Sequence, residues 1–247
     1  MLRLGMTSVT FRQLTIDEVA SIVEEAGLSY IEWGGDVHVK PGDLASATAA
    51  VDAMKKHGLL CSAYGSYYRV GDDDMAEFEL ICKTAHALGA PKIRVWLGRC
   101  GSAETSAEML EKYVIEVRKM ADIAKKYGRF VAFEFHGKTY NDNGASCVGF
   151  LQKVGRENVK TYWQPLAFGN SEENLSLVVR DVLTVHVFNW NDKNERFPLS
   201  DGAEKWKRYI SIIKNAGISC DFTMEFVKDD KKEQFLADAK TLIELVN

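Results

Sequence analysis

Eight short apolar runs alternate with eight longer amphipathic segments from one end of the chain to the other. The apolar runs have the lengths of β-strands, and we predict strands at residues 2–9, 29–33, 59–63, 92–97, 130–135, 159–163, 182–188 and 219–226. The segments between them repeat apolar residues at spacings of three and four. They predict helices at residues 15–26, 43–57, 73–88, 106–127, 145–154, 172–179, 202–215 and 231–246.

This alternation favours a single (β/α)8 barrel, or TIM barrel, that occupies residues 1–247 as one α/β domain. Each strand–helix unit averages about 31 residues, which is typical of a closed parallel barrel. Thr15 and Glu18 have the spacing of a helix capping box and support the first predicted helix. A doubly wound open sheet is the competing fold, but it commonly has a glycine-rich turn after its first strand, and residues 9–14 contain no glycine.

The composition of the chain limits the binding partners and the cellular compartment that we expect for it. The formal net charge is −4, so the chain has no electrostatic attraction to a polyanion, and we expect no nucleic-acid partner. No apolar run reaches the ~18 residues of a membrane span, so we expect no membrane insertion. Met1 leads directly into a strand-like run rather than a signal sequence. The five cysteines have no C-x-x-C spacing, which indicates reduced thiols and a cytoplasmic protein.

Polar residues at predicted strand ends indicate a site, because the strand ends of a parallel barrel surround one mouth. Glu134 and Glu225 interrupt apolar strands, and burial of an unpaired carboxylate costs several kcal/mol. One divalent ion bound by Glu134, Gln164, His186 and Glu225 would compensate both charges. Oxygen ligands with one imidazole favour Mn²⁺ or Mg²⁺ over Zn²⁺. The alternative is a structural ion pair between Glu134 and Arg94, with His186 as an ordinary hydrogen-bonded core residue.

A second group of strand-end residues is predicted to bind substrate. His136 lies two residues beyond Glu134 and therefore faces the same side of the strand, although it could instead cap the barrel rim. Tryptophans at a barrel mouth suit the apolar faces of a sugar ring, with simple packing as the alternative. The predicted substrate-binding residues are Glu32, His38, Arg94, Trp96, His136, Trp190 and Arg196.

The segments 31–38, 93–96, 134–137 and 186–190 resemble the sugar phosphate isomerase/epimerase family of xylose isomerase-like barrels. In metal-dependent members a glutamate, an aspartate, a histidine and a second glutamate hold one divalent ion. The resemblance implies these roles for Glu134, His186 and Glu225, whereas Gln164 occupies the aspartate position. An amide oxygen ligates a hard cation without adding charge, so we expect a lower metal affinity. The resemblance also implies that Glu134 and Glu225 transfer protons beside a carbonyl.

The first functional hypothesis is therefore a metal-dependent isomerase or epimerase of a small sugar, keto-sugar or sugar phosphate. A dehydratase or lyase that acts on a keto-sugar or inosose would use the same site. A non-catalytic sugar-binding barrel is the third hypothesis, because Gln164 replaces an acid. An endonuclease IV-like nuclease is disfavoured by only five histidines and a net charge of −4. The expected partner is a small carbohydrate, and family likeness suggests a homo-oligomer.

Overall fold

The computed structural model describes residues 2–247, which form a closed barrel of eight parallel strands in sequential order, with β1 hydrogen-bonded to β8. The strands are β1 Arg3–Thr7, β2 Tyr30–Gly34, β3 Leu60–Val70, β4 Lys92–Leu97, β5 Phe130–Phe133, β6 Val159–Trp163, β7 Val182–Val187 and β8 Asp221–Met224. The surrounding helices are α1 Ile16–Glu25, α2 Leu44–Lys56, α3 Met75–Ala87, α4 Ala107–Lys126, α5 Gly144–Val154, α6 Ser171–Val178, α7 Ala203–Ala216 and α8 Lys232–Val246. The predicted TIM barrel is confirmed.

The helices begin and end where the local sequence directs them. The Thr15 hydroxyl accepts a hydrogen bond from the Glu18 backbone, and the Glu18 carboxylate accepts one from the Thr15 backbone, so the capping box is confirmed. At the other ends of helices, Gly155 and Gly217 adopt the left-handed conformation that closes α5 and α7. Among residues 2–247, no helix combines the length and apolar character required to cross a bilayer.

The third strand is longer than predicted. It continues from residue 63 to Val70, because its register with β4 shifts between Gly65 and Arg69 and pairing then resumes. Tyr67 lies inside this irregularity with a φ of 61°, which is uncommon for a residue other than glycine. The sequence pattern assigned the tyrosines after residue 63 to a loop. The extension of the strand instead places them at the barrel mouth.

Four other strands, β1, β5, β7 and β8, are shorter than predicted, β7 by the single residue 188. The first strand ends at Thr7, because residues Ser8–Phe11 form a 3-10 turn. Glu134 and Glu225 each lie one residue beyond a strand, yet each backbone N–H still donates a 3.0 Å hydrogen bond to the preceding strand. Both glutamates are therefore held in the direction of their strands while they lie at the mouth.

The barrel interior is unusually polar, whereas aliphatic residues commonly fill a TIM barrel. Near the amino-terminal end of the strands, Lys92 donates to Asp221 and to the Leu183 carbonyl, with Arg3 on the other side of Asp221. The aliphatic core instead lies between the sheet and the helices and includes Val95. An interior of this kind requires its charges to be paired, and the same requirement governs the mouth.

Candidate active site

Glu134, His186 and Glu225 come together at the carboxyl ends of β5, β7 and β8. One ligand atom from each lies within 4.8 Å of the others, and all three side chains are buried. The distances from His186 Nδ1 are 3.6 Å to Glu134 Oε1 and 3.4 Å to Glu225 Oε2. Two ligands of one Mg²⁺ ion, each about 2.1 Å from the metal, lie at most about 4 Å apart. The spacing therefore suits one shared cation after a small contraction.

Gln164, at the end of β6, completes the predicted ligand set. Its Oε1 lies 3.0 Å from His186 Nδ1, and its side chain is buried. Three oxygen-bearing side chains thus surround one imidazole nitrogen. The residue that departs from the family pattern nevertheless occupies the expected position.

A proton on His186 offsets part of the negative charge of the glutamates around it. Burial acts to lower its pKa, but the nearby carboxylates of Glu225, Glu134 and Glu32 outweigh burial and raise it to about 10. A metal ligand must be a neutral imidazole, so a divalent cation would replace the Nδ1 proton and release it. The positive charge that the glutamates require is then supplied by the ion.

The second imidazole nitrogen also fits a metal site. His186 Nε2 is buried, has no hydrogen-bond partner among residues 2–247, and lies 3.8 Å from Glu32 Oε2. With a cation at Nδ1, the remaining proton would reside on Nε2 and point toward this carboxylate. A carboxylate behind the imidazole is the usual way in which a metal-binding histidine is oriented.

Glu134 is fixed by two donors on one oxygen. Arg94 and Trp96 both donate to Glu134 Oε2, and Oε1 is left facing His186. Burial opposes ionisation of Glu134, but Arg94 and His186 hold its pKa well below the usual range. The ion pair with Arg94, which the sequence offered as an alternative to a metal site, is thus present together with the ligand arrangement.

Glu225 has a different environment. Within residues 2–247 its carboxylate accepts no side-chain hydrogen bond, and its ion-pair partner is His186. Burial raises its pKa above the usual value, although the charge of His186 opposes this effect. The two glutamates therefore differ in the hydrogen bonds that their carboxylates accept and in proton affinity.

Glu32 lies deeper than a substrate-binding residue would. It is completely buried and accepts hydrogen bonds from Arg94 Nε at 2.9 Å and from the Tyr162 hydroxyl at 2.8 Å. Burial acts against its charge, but Arg94 and His186 dominate and lower its pKa to about 2. Gly65 makes this arrangement possible, since a Cβ there would lie 2.8 Å from Arg94 Nη2 and 2.9 Å from Glu32 Oε1.

The other predicted substrate-binding residues divide into two groups. Trp96 and the exposed His136 lie together at the rim, with ring centroids 5.5 Å apart. Arg196 lies over the rings of Trp190 and Phe226 and pairs with Asp230. His38 is not brought to this mouth site.

His38 is instead tied to the turn after β1. Its two ring nitrogens lie 2.9 Å from Ser8 Oγ and 3.0 Å from the Leu14 carbonyl oxygen. Both nitrogens therefore have partners, and the residue holds neighbouring loops together. This contact between distant segments has no signature in the sequence.

Two further residues belong to the site but escaped the sequence analysis. Tyr162 donates to Glu32, and Tyr67 packs against Trp96 with the Arg94 guanidinium 4.9 Å from its ring. The strained φ of Tyr67 and its position between these groups are typical of a residue at a functional site. The only sequence signal for Tyr67 was the tyrosine-rich run after residue 63, which lay beyond the end of the predicted strand.

A cavity of about 580 Å³ opens beside this cluster and is called the side cavity below. Its wall includes Gln164 and His136 from the site itself, and extends over the loops after β5, β6 and β7 to helix α7. A volume of this size is typical of a small-molecule site.

The chain belongs to the xylose isomerase-like TIM barrel family, whose model matches residues 20–245. It is 22% identical over 157 residues to a probable L-ribulose-5-phosphate 3-epimerase of Mycoplasma pneumoniae, covering 63% of this chain. It is also 20% identical over 168 residues to a 3-dehydroshikimate dehydratase of Bacillus anthracis, covering 64% of this chain. The chain spans 50% and 60% of the lengths of these two curated relatives, respectively.

Solved structures share the fold over nearly the full chain. A probable 3-dehydroshikimate dehydratase involved in petrobactin synthesis from Bacillus anthracis aligns with a TM-score of 0.84 at 17% identity, covering 98% of both chains. D-psicose 3-epimerase with D-tagatose from Clostridium cellulolyticum aligns at 0.77 and 12%, covering 99% of this chain and 98% of that one. A Mycobacterium smegmatis family protein in complex with magnesium aligns at 0.76 and 15%, covering 99% and 96%.

Proposed function

We propose that the protein is a divalent-metal-dependent isomerase or epimerase that moves a proton next to the carbonyl of a small sugar, keto-sugar or sugar phosphate. The observation that carries this proposal is the convergence of Glu134, His186 and Glu225 within 4.8 Å, with Gln164 alongside. The epimerases among the relatives are consistent with it. Mn²⁺ or Mg²⁺ is the proposed ion because the ligands are mostly oxygen, and a relative has been solved with magnesium.

The two glutamates are assigned distinct parts in the reaction. Glu225, whose carboxylate accepts fewer hydrogen bonds than that of Glu134, removes the proton from the carbon beside the carbonyl, and the electron pair moves into an enediolate. In an epimerisation, a solvent water oriented by Glu134 Oε1 would return a proton to the other face, because Oε2 already accepts from Arg94 and Trp96. The proton taken up by Glu225 would then pass to the hydroxide that remains. A bound divalent cation would stabilise the negative charge of the enediolate oxygen.

The rim residues would hold the sugar during this proton transfer. The indole faces of Trp96 and Trp190 suit the apolar face of a sugar ring, while His136 and Arg196 offer donors for hydroxyl or phosphate oxygens. Glu32 and His38, although predicted from the sequence as substrate-binding residues, are assigned positioning parts on the contacts described above.

A dehydratase is the second candidate function, and the dehydratase relatives favour it as strongly. The same carboxylate would remove the proton beside the carbonyl. The electron pair would then form a carbon–carbon double bond as a hydroxyl on the adjacent carbon takes up a proton and leaves as water. The products separate the two functions, because the dehydratase product is lighter by one water.

Elemental analysis of the purified protein and proton exchange in D₂O test the proposal together. We expect one equivalent of a divalent metal, and deuterium incorporation beside the carbonyl of one compound from a panel of ketoses, keto-sugars and sugar phosphates. Loss of water from the product would assign the dehydratase instead. Binding of a sugar with neither metal nor exchange would assign the non-catalytic barrel.

Matched variants connect any activity to the site. Glu134→Gln and Glu225→Gln should each abolish turnover while the circular dichroism spectrum stays native. Glu108→Gln, an exposed glutamate of α4 that pairs with Lys112, serves as the control and should retain full activity. Full activity of both site variants would refute the proposed roles. Light scattering of the same samples measures whether the predicted homo-oligomer exists.

A further inference from the structure

The side cavity contains a lysine whose charge is not balanced. Lys205, in the first turn of α7, lines the far side of the cavity and is partly buried. It has no ion-pair partner among residues 2–247, and its ammonium group donates a 3.4 Å hydrogen bond to the neutral Asn189 Oδ1. Burial lowers its pKa, and the positive charge of Arg208 acts in the same direction. A lysine in the first turn of a helix is also opposed by the helix dipole.

The acidic residues near Lys205 are already engaged. Glu204 pairs with Lys207 at 2.6 Å, and Glu172 pairs with Arg208 at 2.6 Å. The ammonium group of Lys205 is thus left directed at the cavity, where an anion would gain a partly desolvated partner. A structural role for this lysine would instead have placed a carboxylate beside it.

Asn189 is positioned to support that orientation. Its Nδ2 donates to the Pro198 carbonyl at 2.8 Å, which turns its Oδ1 toward Lys205. Gly202 allows this arrangement, because a Cβ there would lie 2.8 Å from the same Oδ1. The amide therefore orients the lysine without neutralising it.

Other cavity groups could also donate to an anion. The indole nitrogen of Trp190 is buried and has no partner in the part of the chain that the structure describes. The hydroxyl groups of Ser171 and Tyr209 lie in the same wall. Lys138 adds a second positive charge, while Asp192 supplies a negative one, so the charged residues of the wall carry a net charge of +1.

We propose that the side cavity binds an anionic group, carboxylate or phosphate, at the end of the substrate remote from the reacting carbon, with Lys205 as its principal cation. Which end of the substrate reacts depends on the proposed function, whereas the existence of the anion site does not depend on it. Gln164 lines the cavity and is in contact with His186, so a molecule bound in the cavity would lie beside the proposed metal ligands. Phe168 and Phe188 line the cavity and would cover the carbon skeleton. The substrate is therefore acidic rather than a neutral ketose.

Anion binding to the purified protein, with its metal as isolated, tests this inference directly. Titration calorimetry with inorganic phosphate, and separately with malonate, distinguishes a phosphate site from a carboxylate site. Lys205→Met should weaken binding of the preferred anion by at least about tenfold, the effect expected for one charge-assisted hydrogen bond. Lys207→Met, two residues away and exposed, is the matched control and should bind as the wild type does. Lys205→Arg should retain part of the affinity.

The outcomes separate this inference from the proposed function. Binding that depends on Lys205, without deuterium exchange in any compound, would support the anion site and contradict the proposed chemistry. Equal affinity of wild type and Lys205→Met, or no binding of either probe, would overturn the anion site even if a neutral ketose exchanged deuterium. With an active acidic substrate, Lys205→Met should raise KM at least about tenfold and leave kcat within about threefold.

Discussion

Replacement of Glu32 by glutamine tests whether the buried carboxylate below the active site is structural. The change keeps the size of the side chain but removes the charge that Arg94 and the Tyr162 hydroxyl contact. Breaking a buried ion pair costs about 3–5 kcal/mol. Arg94 keeps Glu134 as a second partner, and the amide retains one acceptor oxygen, so we expect the lower end, about 3 kcal/mol.

The pKa of Glu32 provides a second route to this magnitude. It falls from 4.5 to about 2 in the folded protein, which corresponds to about 3 kcal/mol of stability at neutral pH. Because the folded-state pKa is depressed, this stability is fully present above pH 4.5 and is lost as the pH falls toward 2. The difference between wild type and Glu32→Gln should therefore shrink over the same interval.

Thermal unfolding measures the effect. For a domain of this size about 1 kcal/mol corresponds to 2–4 °C, so Glu32→Gln should lower Tm by about 6–12 °C at pH 7. Both proteins are first treated with a chelator, since bound metal would itself shift Tm. Glu108→Gln, an exposed control in α4, should melt as the wild type does. A Glu32→Gln protein that melts within about 1 °C of wild type would refute the structural role and return this residue to the substrate-binding candidates.

Three further predictions follow from the site and its surroundings. Gln164→Asp should raise the affinity for Mn²⁺ or Mg²⁺ at least about tenfold, measured by competition with a metal-binding dye, because a charged oxygen replaces a neutral one. Gly65→Ala should lower Tm through the clash with Arg94 Nη2, whereas Gly149→Ala, with open space around its added Cβ in α5, should not. A thiol reagent at pH 8 should label the half-buried Cys100 first, and all five cysteines only after unfolding. Burial raises to about 12 the pKa of each of the other four thiols, Cys61, Cys82, Cys147 and Cys220.

Much of the site could be located before the structure because a parallel barrel brings all strand ends to one mouth. A carboxylate inside an apolar strand must find a compensating charge, and this requirement identified Glu134 and Glu225. His186 and Gln164 followed because they lie at the ends of the strands between them. The alternation of strands and helices, and the location of these four residues at strand ends, can be recognised without knowing which side chains contact one another in the fold.

The choice of partner for each charge was decided by the tertiary structure. Arg94 bridges Glu32 and Glu134, and Tyr162 completes the set, because strand register and side-chain rotamers bring together residues far apart in the sequence. Parallel strands that are buried on both faces have nearly continuous apolar sequences, so the apolar pattern of one strand does not define its register with the next.

Side chains outside the strand ends also depended on the fold. Tyr67 reached the mouth through an irregular extension of β3, and Lys205 reached the side cavity from a helix on which it resembles any solvated lysine. His38 has the same sequence signal as a binding residue, yet its two ring nitrogens are engaged by Ser8 and Leu14. The sequence by itself thus determined the barrel, and it indicated Glu134, Gln164, His186 and Glu225 as a group of polar residues at the mouth. The packing of loops and helices decided what surrounds them, because those contacts arise only once distant segments are brought together.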